Sequence, residues 1–86
     1  MINGDVVAQT HQVLKNLDAV LRAAGATMND VVKTTVYLSN MAEFNDMNRV
    51  YETYFSSPAP ARVAIQAAKL PKDARVEIDA IAVISD

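Results

Sequence analysis

The sequence predicts an α+β fold, with two helices on one face of a sheet and the element order α-β-α-β-β. Three observations predict it. Apolar residues recur at three- and four-residue spacing over about 5–24 and again over about 44–55, the period of a helix with one buried stripe. Between and after those segments, Val31 to Leu38, Ala61 to Ala67 and Arg75 to Ile84 alternate or run β-branched, as strands do. Gly25, Pro58, Pro60 and Pro71 stand at the junctions, where the chain has to turn.

In the first helix the expected stripe is Val6, Thr10, Val13, Leu14, Leu17, Val20, Leu21 and Ala24. Asp5 is placed to cap the first amides, and Gly25 to take the left-handed residue that ends a helix. Gln9, Gln12, Lys15, Asn16 and Arg22 fall off the stripe and are expected in water. In the first strand Val32, Thr34, Val36 and Leu38 alternate with Lys33, Thr35 and Tyr37. Asn40, with Glu43 three residues on, resembles a capping box opening the second helix. The buried face of that helix is Phe44, Met47, Val50, Tyr51, Tyr54 and Phe55, and Ser56 to Pro60 ends it because proline has no amide to give. Met28, Met41 and Met47 read as core filler. In the last strand Val76, Ile78, Ala80, Ala82 and Ile84 alternate with Arg75, Glu77, Asp79, Ile81 and Val83, so its second face starts charged and ends apolar.

The 86 residues leave room for one domain, residues 1–86. A domain this short buries only about 60% of its unfolded-chain surface, and disulfides, a metal or oligomerisation usually make up the deficit. There is no cysteine, and His11 is the one histidine, so neither a disulfide nor a structural zinc site has its ligands. Self-association remains. A hydrophobic content of 51% points the same way, and a three-stranded sheet with free edges implies either that subunits complete each other or that strands expected before Met1 are lacking. The net charge is −2 and Lys and Arg are scattered, which argues against a nucleic-acid partner, since phosphates call for a basic patch. No apolar stretch is long enough to cross a bilayer and the N-terminus has no signal-peptide pattern, so a cytoplasmic location without membrane contact is expected. No phosphate loop, dinucleotide fingerprint or metal-ligand spacing occurs. Ser39, Ser56 and Ser57 lie in turns outside any histidine motif, which argues against a serine hydrolase.

Two residues could carry chemistry. Arg62 opens a strand expected to be largely buried, and a guanidinium there keeps its charge and needs an anionic partner. That partner is either an internal acid, Glu77 or Asp79, or the carboxylate of a ligand gripped by two parallel hydrogen bonds. Glu77, between Val76 and Ile78, is either a solvated or ion-paired carboxylate or one that orients and deprotonates water. If the last two strands pair as a hairpin, the two residues come near one pocket. Asn48 either helps that pocket or faces solvent, and His11 is expected to be exposed.

The run PARVAIQAAKLPKDARVEI, Pro60 to Ile78, resembles the signature segment of the Rid/YjgF family: proline, alanine, arginine, a variable strand, a short loop and an apolar-Glu-apolar triplet. AAGATMNDVVKTTVYL (Ala23 to Leu38) and MNRVYETYF (Met47 to Phe55) are similar to the family's helix-strand-helix core. The resemblance implies a chorismate-mutase-like α+β fold, assembled as a homotrimer with three clefts between subunits. It implies hydrolysis of 2-aminoacrylate and related imines to 2-keto acids and ammonia, with no cofactor and no metal. By motif, Arg62 is then the carboxylate-binding arginine and Glu77 the acid that positions water. Asn48 matches a pocket-lining asparagine, and Ala64 stands where a cysteine is frequent, its backbone bordering the site. Set against the family, the chain is expected to be N-terminally short: Met1 aligns just before the first helix, and the strands with a pocket tyrosine and a glycine lie upstream. Two alternatives stand beside the deaminase expectation, a non-catalytic trimeric binding or chaperone-like module and a ribonuclease or translation inhibitor.

Overall fold

The computed structural model describes residues 5–84. Two α-helices, α1 (Val6–Ala23) and α2 (Phe44–Tyr51), and three strands, β1 (Val31–Leu38), β2 (Ala61–Gln66) and β3 (Val76–Ala82), follow one another in the predicted order. Short 3-10 turns over Met28–Asp30, Met41–Glu43 and Pro71–Asp73 join them.

Both ends of α1 are closed as the sequence predicts. Asp5 accepts from the Ala8 amide at 2.9 Å. At the other end Gly25 has φ +84°, the Gly25 amide reaches Arg22 O (3.1 Å) and the Ala26 amide reaches Leu21 O (2.8 Å). These two bonds satisfy carbonyls that the last turn leaves free, and only glycine takes that backbone angle without strain. Val6, Thr10, Leu14 and Leu21 of the expected stripe are buried, whereas Val20 and Ala24 are exposed. Gln9 departs from expectation. It is 3% exposed, and its Oε1 accepts the backbone amide of Arg75 at 2.8 Å, tying α1 to the entry of β3.

The sheet order is β2-β1-β3. β2 runs parallel to β1, pairing Thr34 with Arg62 and Val36 with Ala64. β3 runs antiparallel to β1, pairing Val36 with Ile78 and Tyr37 with Glu77. The hairpin of the last two strands that would bring Arg62 and Glu77 near one pocket is therefore not formed, because β1 lies between them and takes both sets of hydrogen bonds. Thr34, Val36, Leu38, Val76 and Ile78 are buried on the face that the helices cover, with Leu14, Met47, Val50 and Tyr51 packed against it. Val32 was expected on that face but is 49% exposed. A register shift between Val31 and Lys33 inserts an extra residue, which turns Val31 inward beside Leu21 and Ala26. Met47 is buried and Met28 and Met41 pack at the rim of the core, as filler should.

The capping box at Asn40 is also replaced. Asn40 Oδ1 accepts from Ala42 N at 3.0 Å, two residues on, and this opens a 3-10 turn before α2. The Glu43 carboxylate turns away to accept from Arg75 at 2.7 Å. No helix among the described residues is long and apolar enough to cross a membrane.

Candidate functional site

β2 is an edge strand, so its helix-facing residues are covered only where α2 reaches them. Ala64 is reached and packs on the core, whereas Arg62, two residues earlier on the same face, lies at the margin of α2 and stays exposed. Its guanidinium carbon sits 4.7 Å from the centre of the Tyr51 ring and 5.1 Å from that of Phe44. Ring faces are electronegative, so both aromatics hold the cation in place without neutralising it. Tyr51 is fixed in turn: its hydroxyl shares a buried 2.7 Å hydrogen bond with Thr34, the register partner of Arg62.

The third restraint is Asn48. Arg62 Nη1 donates to Asn48 Oδ1, and Asn48 Nδ2 donates to Glu52 Oε1 at 3.0 Å. Phe44, Asn48, Tyr51 and Glu52 are spaced by four, three and one residues, which lines them along one side of α2 and its last turn. Together Asn48, Tyr51, Glu52, Ala59, Pro60 and Arg62 line a cleft of about 280 Å³. Among the described residues no carboxylate lies within ion-pair distance of Arg62. The internal partners considered for it, Glu77 and Asp79, are both elsewhere: Asp79 accepts from the Tyr37 hydroxyl at 3.2 Å.

Glu77 occupies the other face of the sheet. It stands opposite Tyr37 in the antiparallel register, while Arg62 stands opposite Thr34, so the two side chains leave opposite faces of the sheet with β1 between their strands. Glu77 borders a separate cavity of about 380 Å³ with Val13, Pro71 and Lys72. Within one chain, then, Arg62 and Asn48 come together, Ala64 packs on the core two residues further along β2 and is not among the residues lining the cleft, and Glu77 does not join them. Tyr37 shares the Glu77 face, and its phenol is pushed above the ordinary value of 10.0, first by the Asp79 charge, then by burial and the Asp79 hydrogen bond, with Glu77 adding to it. His11 is exposed as expected, with Nδ1 at 3.0 Å from the Tyr54 hydroxyl.

A larger cavity of about 550 Å³ opens among Ser39, Asn40, Glu43, Lys69, Asp73 and Arg75. Its charges are already matched, Arg75 to Glu43 at 2.7 Å and Lys69 to Asp73 at 3.5 Å. It therefore offers a ligand no unpaired cation, whereas Arg62 in the smaller cleft has no ion-pair partner among the described residues, Glu52 there accepting from the Asn48 amide. Among the described residues no group of three or more His, Asp or Glu side chains is gathered to hold a metal ion.

Phe44, Tyr51 and Glu52 are site residues that local sequence did not single out. The two aromatics were expected only as core, and the signal available for all three was their helical spacing around Asn48.

Residues 1–84 match the model of a family described as endoribonuclease L-PSP. A RutC family protein of Pyrococcus horikoshii is 52% identical over 82 residues, which are 95% of this chain and 65% of that protein. A Mus musculus protein named 2-iminobutanoate/2-iminopropanoate deaminase is 52% identical over 83 residues, 96% of this chain and 62% of its own length. The chain thus spans less than two thirds of these curated relatives. Among solved structures, an endoribonuclease-like protein of Thermotoga maritima superposes with a TM-score of 0.95 at 41% identity, covering 100% of this chain and 68% of that one. E. coli TdcF with bound serine does so with a TM-score of 0.92 at 40% identity, covering 99% of this chain and 69% of that one. With residues 1–84 matched by the family model and the helices and mixed sheet matched by solved Rid structures, the chain belongs to the Rid/YjgF family.

Proposed function

We propose that this protein hydrolyses small reactive enamines and imines, such as 2-aminoacrylate and its tautomer 2-iminopropanoate, to a 2-keto acid and ammonia. The observation that carries the proposal is a guanidinium held by two rings and a neutral amide, with no acid of its own among the described residues. Such a group presents its remaining N–H donors to an incoming carboxylate in a fixed fork. The names of relatives from Mus musculus and Homo sapiens, 2-iminobutanoate/2-iminopropanoate deaminase, support the same substrate class.

The chemistry asks little of the protein. In the iminium form the carbon bonded to nitrogen is already electrophilic. Water adds to it and loses a proton, giving a carbinolamine. Protonation of that nitrogen, then loss of the hydroxyl proton as the C–N bond breaks, releases ammonia and leaves the ketone. Holding the carboxylate and presenting water with a base are sufficient, and both are matters of position and electrostatics. Arg62 takes the carboxylate, Asn48 steadies Arg62, the backbone at Ala64 borders the pocket, and Glu77 positions the water and relays its proton.

Because Glu77 and Arg62 leave opposite faces of the sheet, the reading requires a second copy to bring its Glu77 to the Arg62 cleft, as in a homotrimer with clefts between subunits. Support comes from the face that carries Glu77. Val63, Ile65 and Ile81 are 46, 43 and 58% exposed there, an apolar surface that another copy would cover. Arg62→Ala is expected to lower turnover of dehydratase-generated 2-aminoacrylate by about 100-fold or more, with unchanged melting and assembly. Undiminished turnover in that folded variant sinks the proposal. Mixing Arg62→Ala with Glu77→Gln chains before assembly should restore part of the activity, since some clefts then receive both intact residues.

The separation of the two residues also favours a second reading, in which the cleft binds a small carboxylate without turning it over. Pyruvate binding that depends on Arg62, in assembled protein that releases no ammonia from the imine, is the result that selects it.

A further inference from the structure

Asn48 is a two-ended group whose orientation decides what Arg62 experiences. Its carboxamide has an acceptor oxygen and a donor nitrogen of nearly equal size, and a half-turn exchanges them. With the oxygen toward Arg62 the guanidinium is gripped; with the nitrogen toward it, donor faces donor and the grip is lost. The group at the far end of the amide is Glu52, which accepts from Asn48 Nδ2 at 3.0 Å. A carboxylate has no proton to give, so it tolerates only the amide nitrogen. Glu52 and Arg62 therefore specify the same orientation from opposite ends.

The backbone adds to this. Glu52 follows Asn48 by one helical turn, its amide donates to Asn48 O at 2.9 Å, and it caps the C-terminus of α2. Its carboxylate therefore starts from a fixed point beside the amide. The neutral amide between the two charges has a further consequence. A carboxylate bonded directly to Arg62 would compete with a ligand for the same donors, whereas one that acts through Asn48 orients the guanidinium and leaves its other N–H groups open.

We propose that Glu52 is the positioning residue of the anion site, fixing the Asn48 carboxamide so that its oxygen holds Arg62 ready for a small carboxylate. The inference rests on the reading that Arg62 takes that carboxylate, and it adds a residue and a direction of action to it. Glu52 touches no reacting atom, so its effect falls on binding and not on the chemical step.

The test uses the assembled protein, with pyruvate as the probe. Glu52→Ala should weaken pyruvate about tenfold by calorimetry and raise KM for the imine by a similar factor, with kcat changed about twofold or less. Glu52→Gln keeps an acceptor oxygen and should recover binding to within about threefold of the wild type. In an Asn48→Ala background, Glu52→Ala should have no further effect, because the amide it acts through is gone. Where Arg62→Ala abolishes pyruvate binding, a Glu52→Ala protein with unaltered pyruvate affinity, or one with the same loss whether or not Asn48 is present, overturns the inference. The Arg62 Nε–Hε resonance, read by NMR without ligand, separates this from the underlying proposal. If it shifts in Glu52→Ala only when Asn48 is present, while Arg62→Ala leaves pyruvate binding intact, the positioning holds and the carboxylate reading falls.

Discussion

The two faces of the sheet are built from the same kinds of residue and used in opposite ways. On the face under the helices, Thr34, Val36, Leu38, Val76 and Ile78 are buried, and the one charged residue there, Arg62, sits where α2 stops covering the edge strand. On the other face Val63, Ile65 and Ile81 are exposed beside Glu77 and Asp79. A face bathed in water needs no valine or isoleucine, so apolar residues on both sides of β2 and β3 indicate a sheet meant to be covered twice. The covered face stabilises the chain; the open one holds the surface and the acid that a second copy would need.

The comparison can be broken by mutation, and the largest effect belongs to the covered face. Leu38→Ala removes a fully buried side chain and should cost about 3 kcal/mol in chemical denaturation, whereas Ile65→Ala should cost about 0.5 kcal/mol or less in the unassembled chain. If Ile65→Ala instead destabilises the isolated chain as much as Leu38→Ala, the open face is part of the core and the contrast fails. Thr34→Val sharpens the description of the site. It strips the buried Tyr51 hydroxyl of its partner, which should cost about 1–2 kcal/mol and loosen the ring beneath Arg62, as a weaker pyruvate affinity would register.

The smallest effect lies at Tyr37 on the open face. Its phenol is held above 10.0 chiefly by the Asp79 charge. A pKa raised in the folded state means that the proton is bound more tightly there. The stability from this contact is therefore complete below pH 10 and is lost as the pH rises through the folded value. Following tyrosinate absorbance against pH should give a Tyr37 midpoint above 10.0, and Asp79→Asn should bring it down. A midpoint indifferent to Asp79→Asn would remove the pairing.

Much of this could be read from the chain. The α1 stripe apart from Val20 and Ala24, the Asp5 cap, the Gly25 terminus and the β1 alternation from Thr34 to Leu38 rest on neighbours within a few residues, and these formed. The failures involve distant partners. Polarity alone sends Gln9 to water, because nothing near it in sequence announces the Arg75 amide that its side chain accepts from. Asn40 and Glu43 have capping-box spacing, but Arg75 offers Glu43 a charged partner that the box cannot match. At the site, Arg62 and Asn48 were legible as polar residues in apolar segments. Their contact, the aromatic bed and the role of Glu52 depend on α2 lying against the edge of β2.

The sequence by itself determined which segments are helix and strand, which side of each is apolar, and that a cation stands at position 62 and an acid at 77, since side-chain period and type are local properties. Only the tertiary structure decided that β1 would run between β2 and β3, which carries Arg62 and Glu77 to opposite faces. Strand order is a choice among non-local pairings of similar hydrogen-bond energy, made by how the whole sheet packs beneath its helices, and no stretch of sequence shorter than the chain contains it.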